Sequence, residues 1–350
     1  MTYTQIPRTP KPTDLSADDS YFSLHFLVPS EGVPITEHAN SEVGLPTRFS
    51  DRLSWALELE LAMRGAGFTW SSADVRHTRR TWRPSVGDRV HSIVVHVLPV
   101  LLSSWAVVRQ VQMRYLEAST ARGEGEGDFD DLPCTVQAAL TAALGAFLMA
   151  AFSLGHSLFA VLSSCLTPHP LSYFPPLYTK RVWEITSVRG FWSYGWHRLF
   201  SRLFLVFGSW PGEWVERTIT GKTREQDADV GKVLGAFASS AFVHSFAGHT
   251  VVPGGWRNAS GEAWFFCENA IAVIVEEGVR RYVLQKRKRA SKQSQTSKTD
   301  ALKGTDLEKW YDGIVGRIWW VSILLYTGRN FARGWTLAGL VKEMSFTWLF

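Results

Sequence analysis

The chain has 350 residues, of which 45% are hydrophobic, with a formal net charge of +5 and a mean hydropathy of -0.05. The averages conceal a segregation: residues 1–50, 117–132 and 285–306 are polar, and long apolar segments lie between them. Cys134, Cys165 and Cys267 are far apart with no CxxC pair, which argues against a zinc site or a disulfide framework. All three read as buried thiols behaving as small hydrophobes. Sixteen tryptophans and 21 phenylalanines are many for this length; Trp and Tyr rings, dry at one end and wet at the other, favour the membrane interface, though a soluble aromatic-rich core stays open.

Residues 1–50 carry Pro, Thr, Ser and Asp around one short apolar island, YFSLHFLV, and predict a largely irregular tail. The start shows no positive cap followed by an apolar core, the pattern of a cleavable signal peptide. Next, RLSWALELELAMRGAGF has apolar residues at helical spacing, as an amphipathic helix on a membrane surface or against a bundle does. HSIVVHVLPVLLSSWAVV, residues 91–108, has no carboxylate, lysine or arginine and is the first spanning candidate, close to the minimum length for crossing roughly 30 Å of hydrocarbon. The polar loop EASTARGEGEGDFDDLP follows.

CTVQAALTAALGAFLMAAFSLGHSLFAVLSSCL is the strongest membrane signal in the chain. It predicts either one tilted helix or two helices meeting near Gly155-His156, and its Ala, Gly and Ser content suits close packing in lipid. Weaker apolar segments cover Leu199–Trp210, Val233–Val252, Trp264–Val275 and Gly313–Tyr326, and Phe346–Phe350 closes the chain. About five to seven membrane segments are therefore expected. RRYVLQKRKRASKQSQTSK reads as a basic loop over 280–305, which the positive-inside rule puts on the cytosolic side and which explains most of the net charge without invoking nucleic acid. The expected architecture is an all-α, multi-pass membrane bundle over 51–350 with a polar tail at 1–50.

Several familiar motifs fail. Gly221-Lys222-Thr223 lacks the glycine five residues earlier, where Glu216 stands, so it is no phosphate-binding loop. His244 and His249 are five apart, about 140° around a helix, so no HExxH zinc pattern exists. No GxSxG elbow occurs.

Two segments remain. In a helix, Ala236, Ser240, His244 and Gly248 recur every fourth residue and share one face. A lone histidine in an apolar helix is usually satisfied by a neighbouring helix. The small flanking residues, however, leave a groove beside the imidazole, and a histidine at membrane depth is costly unless it faces a cavity. Neutral imidazole can remove a proton from an alcohol, help worth roughly 10²–10⁴ in rate. In FWSYGWHRLFSR, residues 191–202, helical spacing of Trp192, Trp196 and Phe200 would make an interfacial aromatic belt, with Arg198 and Arg202 towards headgroups.

SVRGFWSYGWHRLFSR resembles the FWGRRWH or FWGRRWN segment of the wax-synthase-like branch of the membrane-bound O-acyltransferases. SSAFVHSFAG is similar to that family's S-G-x-x-H helix, AWFFCENAIAVIVEEGVRR to its third landmark, and LAMRGAGFTW to the RGIGW segment of fungal members. The order and spacing agree over roughly residues 50–345, and the nearest subgroup is fungal enzymes that acetylate terpenoid alcohols. The resemblance implies His244 as catalytic histidine, His197 at the Asn/His position of the same site, and Trp192, Trp196, Ser240 and Arg198 as substrate-binding residues. It also implies acetyl-CoA as cosubstrate with no resident cofactor or metal, a hydrophobic alcohol and membrane lipid as partners, no nucleic acid, and the endoplasmic reticulum as location. The acidic pair Glu276-Glu277 matches a landmark without an assigned role, and Ser193-Tyr194-Gly195 stands where Gly-Arg-Arg is usual. Family members commonly begin with extra spanning helices where this chain has a polar tail. Two alternatives stay open on the sequence: a long-chain wax-ester or sterol-ester synthase, and a non-catalytic membrane protein such as a transporter.

Overall fold

The structure is a computed structural model that describes residues 48–53, 56, 85–117, 128–163, 171, 174–178, 180–196, 199–251, 256–294 and 309–345. All regular elements among these residues are helical, and no strand occurs among them. Residues 1–47 of the polar tail, nearly all of the expected amphipathic helix, LAMRGAGFTW, Cys165, His197, Arg198 and the closing aromatic cluster lie outside the described residues.

Helix α1 spans Val86–Leu116. The Ser85 hydroxyl accepts the Asp88 N–H at 3.0 Å, and Asp88 sits in the first turn, where the helix dipole favours an anion. Just ahead of Pro99 the turn Ile93–Val97 widens to π geometry. Proline lacks an N–H and its ring crowds the carbonyl four residues back, so the wider turn absorbs that conflict. Helix α2, Cys134–Leu162, is a single continuous helix of 29 residues. It does not break at Gly155-His156, because no proline or competing cap accompanies the glycine.

After a short turn at Ser201–Phe204 and a π turn at Leu205–Ser209, helix α3 runs Trp210–Thr220. Pro211 opens it, and Gly221 closes it at φ 68°, the left-handed conformation that glycine adopts without penalty. Helix α4 is Asp229–Val251, α5 is Trp256–Ser294, α6 is Trp310–Leu337 and α7 is Leu340–Ser345.

Among the described residues, three helices are long and apolar enough to cross a membrane: α1, α2 and, over Asp229–Thr250, α4. Their outward faces carry exposed Val95, Leu102, Leu158, Phe159, Phe242 and Phe246, as expected of helices whose solvent is lipid. The protein is an all-α membrane protein. Three such helices compare with the five to seven segments expected: α5 carries Glu262, Glu268 and the Glu276-Glu277 pair, α6 is flanked by Asp312, Arg317, Arg329 and Arg333 around a shorter uncharged middle, and 346–350 lie outside the described residues. The basic run is a second difference. Residues 280–294 continue α5 as helix instead of forming a loop, since no Gly or Pro interrupts them after Gly278 and Arg, Lys, Gln and Ala are good helix formers. A third concerns the thiols. Cys134 and Cys267 are exposed, not buried, because both lie on helix faces turned away from the packed interior.

Helices α4 and α5 run antiparallel, tied at one end by Arg281 to Asp229 at 3.0 Å and approaching again where His244 Nδ1 lies 3.8 Å from Glu262. Helix α6 runs antiparallel to α5, linked by Arg287–Asp312 at 2.5 Å, Asn330–Glu268 at 3.0 Å and Trp335–Glu262 at 3.2 Å. The basic end of α5 therefore lies on the same side as the N-termini of α4 and α6. Two apolar clusters fill the interior. One joins the C-terminal part of α1, the start of α2 and the end of α6 through Val108, Leu140, Leu144 and Ala332. The other gathers Ile185, Val188, Phe191, Val233, Val273 and Trp320.

The chain leading into α3 and α3 itself cross α4 with backbone against backbone. A Cβ on Gly208 or Gly212 would strike the backbone of Gly235 or Gly231, and the reverse holds for those two residues. Only glycine lets the two backbones approach this closely. Gly212→Ala should therefore lower the thermal midpoint of detergent-solubilised protein, corresponding to about 1–3 kcal/mol of overpacking. Gly145→Ala, whose Cβ would meet nothing within 4 Å, should leave it unchanged or raised; tryptophan-fluorescence melts make the comparison.

Candidate active site

The segment carrying FWSYGW is held in place by its first residues. Ser187 caps the short helical turn Val188–Gly190, its hydroxyl accepting the Gly190 N–H at 2.8 Å. The Glu276 carboxylate, from α5, accepts the Val188 N–H at 2.7 Å and the Arg189 N–H at 3.1 Å. An anion facing the free N–H groups of a helical turn is the favoured arrangement. Burial pushes the Glu276 carboxyl above its ordinary range, while those two N–H bonds pull it back. Its neighbour Glu277 meets Arg189 at 3.2 Å, Arg281 at 2.8 Å and Arg280 at 3.9 Å. Burial alone would raise the Glu277 carboxyl, but the Arg281 hydrogen bond and the arginine charges hold it below its usual range. The acidic pair thus fastens residues 188–189 to α5.

The chain then winds one π turn, Phe191–Gly195, closed by the Trp196 N–H donating to the Phe191 carbonyl at 2.8 Å. π turns reorient side chains relative to an α-helix and gather at functional sites. Trp196 leaves the helix with φ -110° and ψ 156°, so Trp192, Trp196 and Phe200 do not form the single helical stripe that their spacing suggests. Phe200 instead meets Phe204, at 6.4 Å between ring centroids. Gly195 explains part of the departure from Gly-Arg-Arg: a Cβ there would collide with the Ile185 side chain, which is buried. The Lys180 ammonium lies 4.7 Å from the Tyr194 ring centroid and returns a cation to this turn.

Phe191 stacks on Trp320 at 5.7 Å, and the Trp320 indole donates to the Ile185 carbonyl at 2.9 Å. Trp192 points into the bundle, with ring centroids 5.4 Å from Phe237, 5.8 Å from Phe265 and 5.7 Å from Phe266. Its indole N–H donates to the Asn269 side-chain oxygen at 3.0 Å. Asn269 is fully buried, and its amide donates to the Phe265 carbonyl at 2.8 Å and the Thr327 hydroxyl at 2.9 Å.

His244 lies one ring away. Its imidazole is 4.7 Å from Phe266, which also touches Trp192. The face of Ala236, Ser240, His244 and Gly248 turns inward: Ser240 is buried one turn before His244, while Phe242, Val243 and Phe246 face outward. His244 keeps 38% side-chain exposure, so part of the ring stays open beside its aromatic wall. Trp192 thus reaches α4 and α5 through Phe237, Phe265 and Phe266, Trp196 lies beside Trp192 at 6.1 Å between ring centroids, and Ser240 sits one turn before His244 on α4. His197 and Arg198 lie outside the described residues. Glu262, Phe266, Asn269 and Trp335 were not singled out by pattern. A carboxylate and a carboxamide in an otherwise apolar helical stretch were the available signals for Glu262 and Asn269.

Fold and site define an all-α membrane protein with an aromatic-walled histidine on a spanning helix. Residues 174–268 match the family model described as membrane bound O-acyl transferase family, a span that holds Trp192, Trp196, Ser240, His244 and Glu262 and is well short of half of the chain. No curated protein and no solved structure matches. The family match supports membrane-bound O-acyltransferase activity.

Asn269→Leu should strand the Trp192 indole N–H, while the Thr327 hydroxyl loses the Asn269 donor but keeps its bond to the Ile323 carbonyl, a loss of about 1–3 kcal/mol. The expected outcome is a lower thermal midpoint together with a shifted tryptophan emission maximum, both read in one fluorescence melt.

Proposed function

We propose that this protein is a membrane-bound O-acyltransferase that transfers an acetyl group from acetyl-CoA to the hydroxyl of a hydrophobic alcohol, a terpenoid intermediate of fungal secondary metabolism, in the endoplasmic reticulum membrane. One observation carries the proposal: within the family-matched segment, the inward-facing imidazole of a membrane-spanning helix shares an aromatic wall with Trp192. Such a site admits an apolar molecule from the bilayer and offers a base where its hydroxyl comes to rest.

In the reaction, the alcohol oxygen attacks the thioester carbonyl while His244 takes its proton. The carbonyl electrons move to oxygen, and His197 donates a hydrogen bond to that oxyanion, a type of contact worth about 3 kcal/mol. The intermediate collapses, the carbon–sulfur bond breaks, and the CoA thiolate takes the proton from the imidazolium. The products are the ester and free CoA. Trp192, Trp196 and Ser240 line the acceptor side, with Arg198 as a further substrate-binding residue. Apolar walls keep water from competing as acceptor.

The test uses microsomes expressing the full chain, labelled acetyl-CoA and a pool of terpenoid alcohols. Labelled ester should form with the wild type and fall by roughly 10² or more in His244→Ala. Equal product from both would remove His244 from the mechanism. Competition by unlabelled palmitoyl-CoA that outruns acetyl-CoA would reassign the donor to a long chain.

A further inference from the structure

Glu262 stands between two groups that face it from different helices. Its side chain is only 12% exposed. One carboxylate oxygen accepts the Trp335 indole N–H from α6 at 3.2 Å, and the other lies 3.8 Å from Nδ1 of His244 on α4. The indole thus fixes one edge of the carboxylate and leaves the second towards the imidazole. Phe266, one helical turn after Glu262, packs on the same imidazole at 4.7 Å, so α5 supplies both the charge and the wall against which the ring rests.

A neutral imidazole has one N–H and one bare nitrogen, and which nitrogen is bare is set by the partner of the other. A carboxylate beside Nδ1 favours the proton there and leaves Nε2, on the opposite edge, as the basic nitrogen. It also stabilises the imidazolium that forms once Nε2 has taken a proton, the role an aspartate plays in a serine-protease triad. At 3.8 Å the pair is longer than a hydrogen bond, and catalytic contacts commonly tighten only when substrate is bound.

We propose that Glu262 is the positioning residue of the His244 base: held by Trp335, it fixes the Nδ1–H tautomer so that Nε2 accepts the alcohol proton. This rests on the reading of His244 as the base of an acyl transfer. No bond forms to Glu262, and its charge is the same before and after turnover.

The test has two arms, run on Glu262→Gln, Glu262→Asp and Trp335→Phe in microsomes holding the full chain. In the first, acyl transfer from labelled acetyl-CoA is measured. Glu262→Gln should lower kcat by about 10-fold or more with KM for the alcohol within about twofold, and Glu262→Asp should restore part of it. In the second, which needs no turnover, diethylpyrocarbonate at pH 8 carbethoxylates His244 and peptide mass spectrometry reads the rate. That rate should fall several-fold in Glu262→Gln and to a smaller extent in Trp335→Phe. A Glu262→Gln enzyme as fast as wild type, alongside an inactive His244→Ala, would overturn the positioning role while leaving the acyltransferase reading in place. Wild-type activity in His244→Ala would overturn that reading instead, and the carbethoxylation arm would then decide Glu262 separately: an unchanged rate removes the coupling. If Glu262→Gln fails to accumulate in the membrane, Trp335→Phe and Glu262→Asp carry the same comparison.

Discussion

A side-chain amide buried among apolar helices must find partners for its oxygen and its N–H groups, because no water is present to take them. Asn269 meets that demand by joining three elements: the Trp192 indole on the FWSYG turn, its own helix at Phe265, and Thr327 on α6. The hydroxyl of Thr327 in turn donates to the Ile323 carbonyl at 2.8 Å. Every member of this network gains from the same geometry, so the position of Trp192 is specified by hydrogen bonds as well as by packing. Trp192 then presses on Phe237, Phe265 and Phe266, and Phe266 backs His244. The histidine's surroundings thus depend on a buried carboxamide one turn farther along α5.

The same helices arrange the site across the membrane. Asp229, Arg281, Arg287 and Asp312 mark one side of the bundle, and the basic residues beyond Arg281 lie on that side. His244 lies 15 residues into α4 from Asp229, about 22 Å along the axis at the usual helical rise. The FWSYG turn sits between, fastened to α5 near the basic end by Glu276 and reaching towards the histidine through Trp192. A polar donor arriving from the basic side and an apolar acceptor arriving from the bilayer would meet along this line.

Much of the helical framework was legible in the sequence, because long uncharged apolar runs have few other uses. The inward face of α4 was legible too, since Ala236, Ser240, His244 and Gly248 carry their period openly. Three features were not. The π turns at Ile93–Val97, Phe191–Gly195 and Leu205–Ser209 shift the register by one residue without a compositional mark, and one of them breaks the stripe that Trp192, Trp196 and Phe200 promise. The role of Glu276 depends on two N–H groups 87 and 88 residues away in the chain, a contact that only the packing of α5 against residues 188–190 creates. The basic run looked like a loop by charge, yet its residues are helix formers and simply prolong α5. Glu262 was hidden for a related reason: its partners come from two other helices, and its own surroundings in sequence, SGEAWFF, show a lone carboxylate with no pattern around it.

The central claim is that an apolar alcohol comes to rest between the FWSYG turn and the inward face of α4. Photolabelling measures this directly, with a diazirine derivative of farnesol irradiated in microsomes that express the full chain, followed by peptide mapping. The account predicts label on peptides covering Trp192, Ser240 to Ser245 and Phe265 to Phe266, suppressed by excess farnesol. Label confined to α1 and α2, at outward residues such as Leu102 and Leu158, and indifferent to farnesol would contradict it.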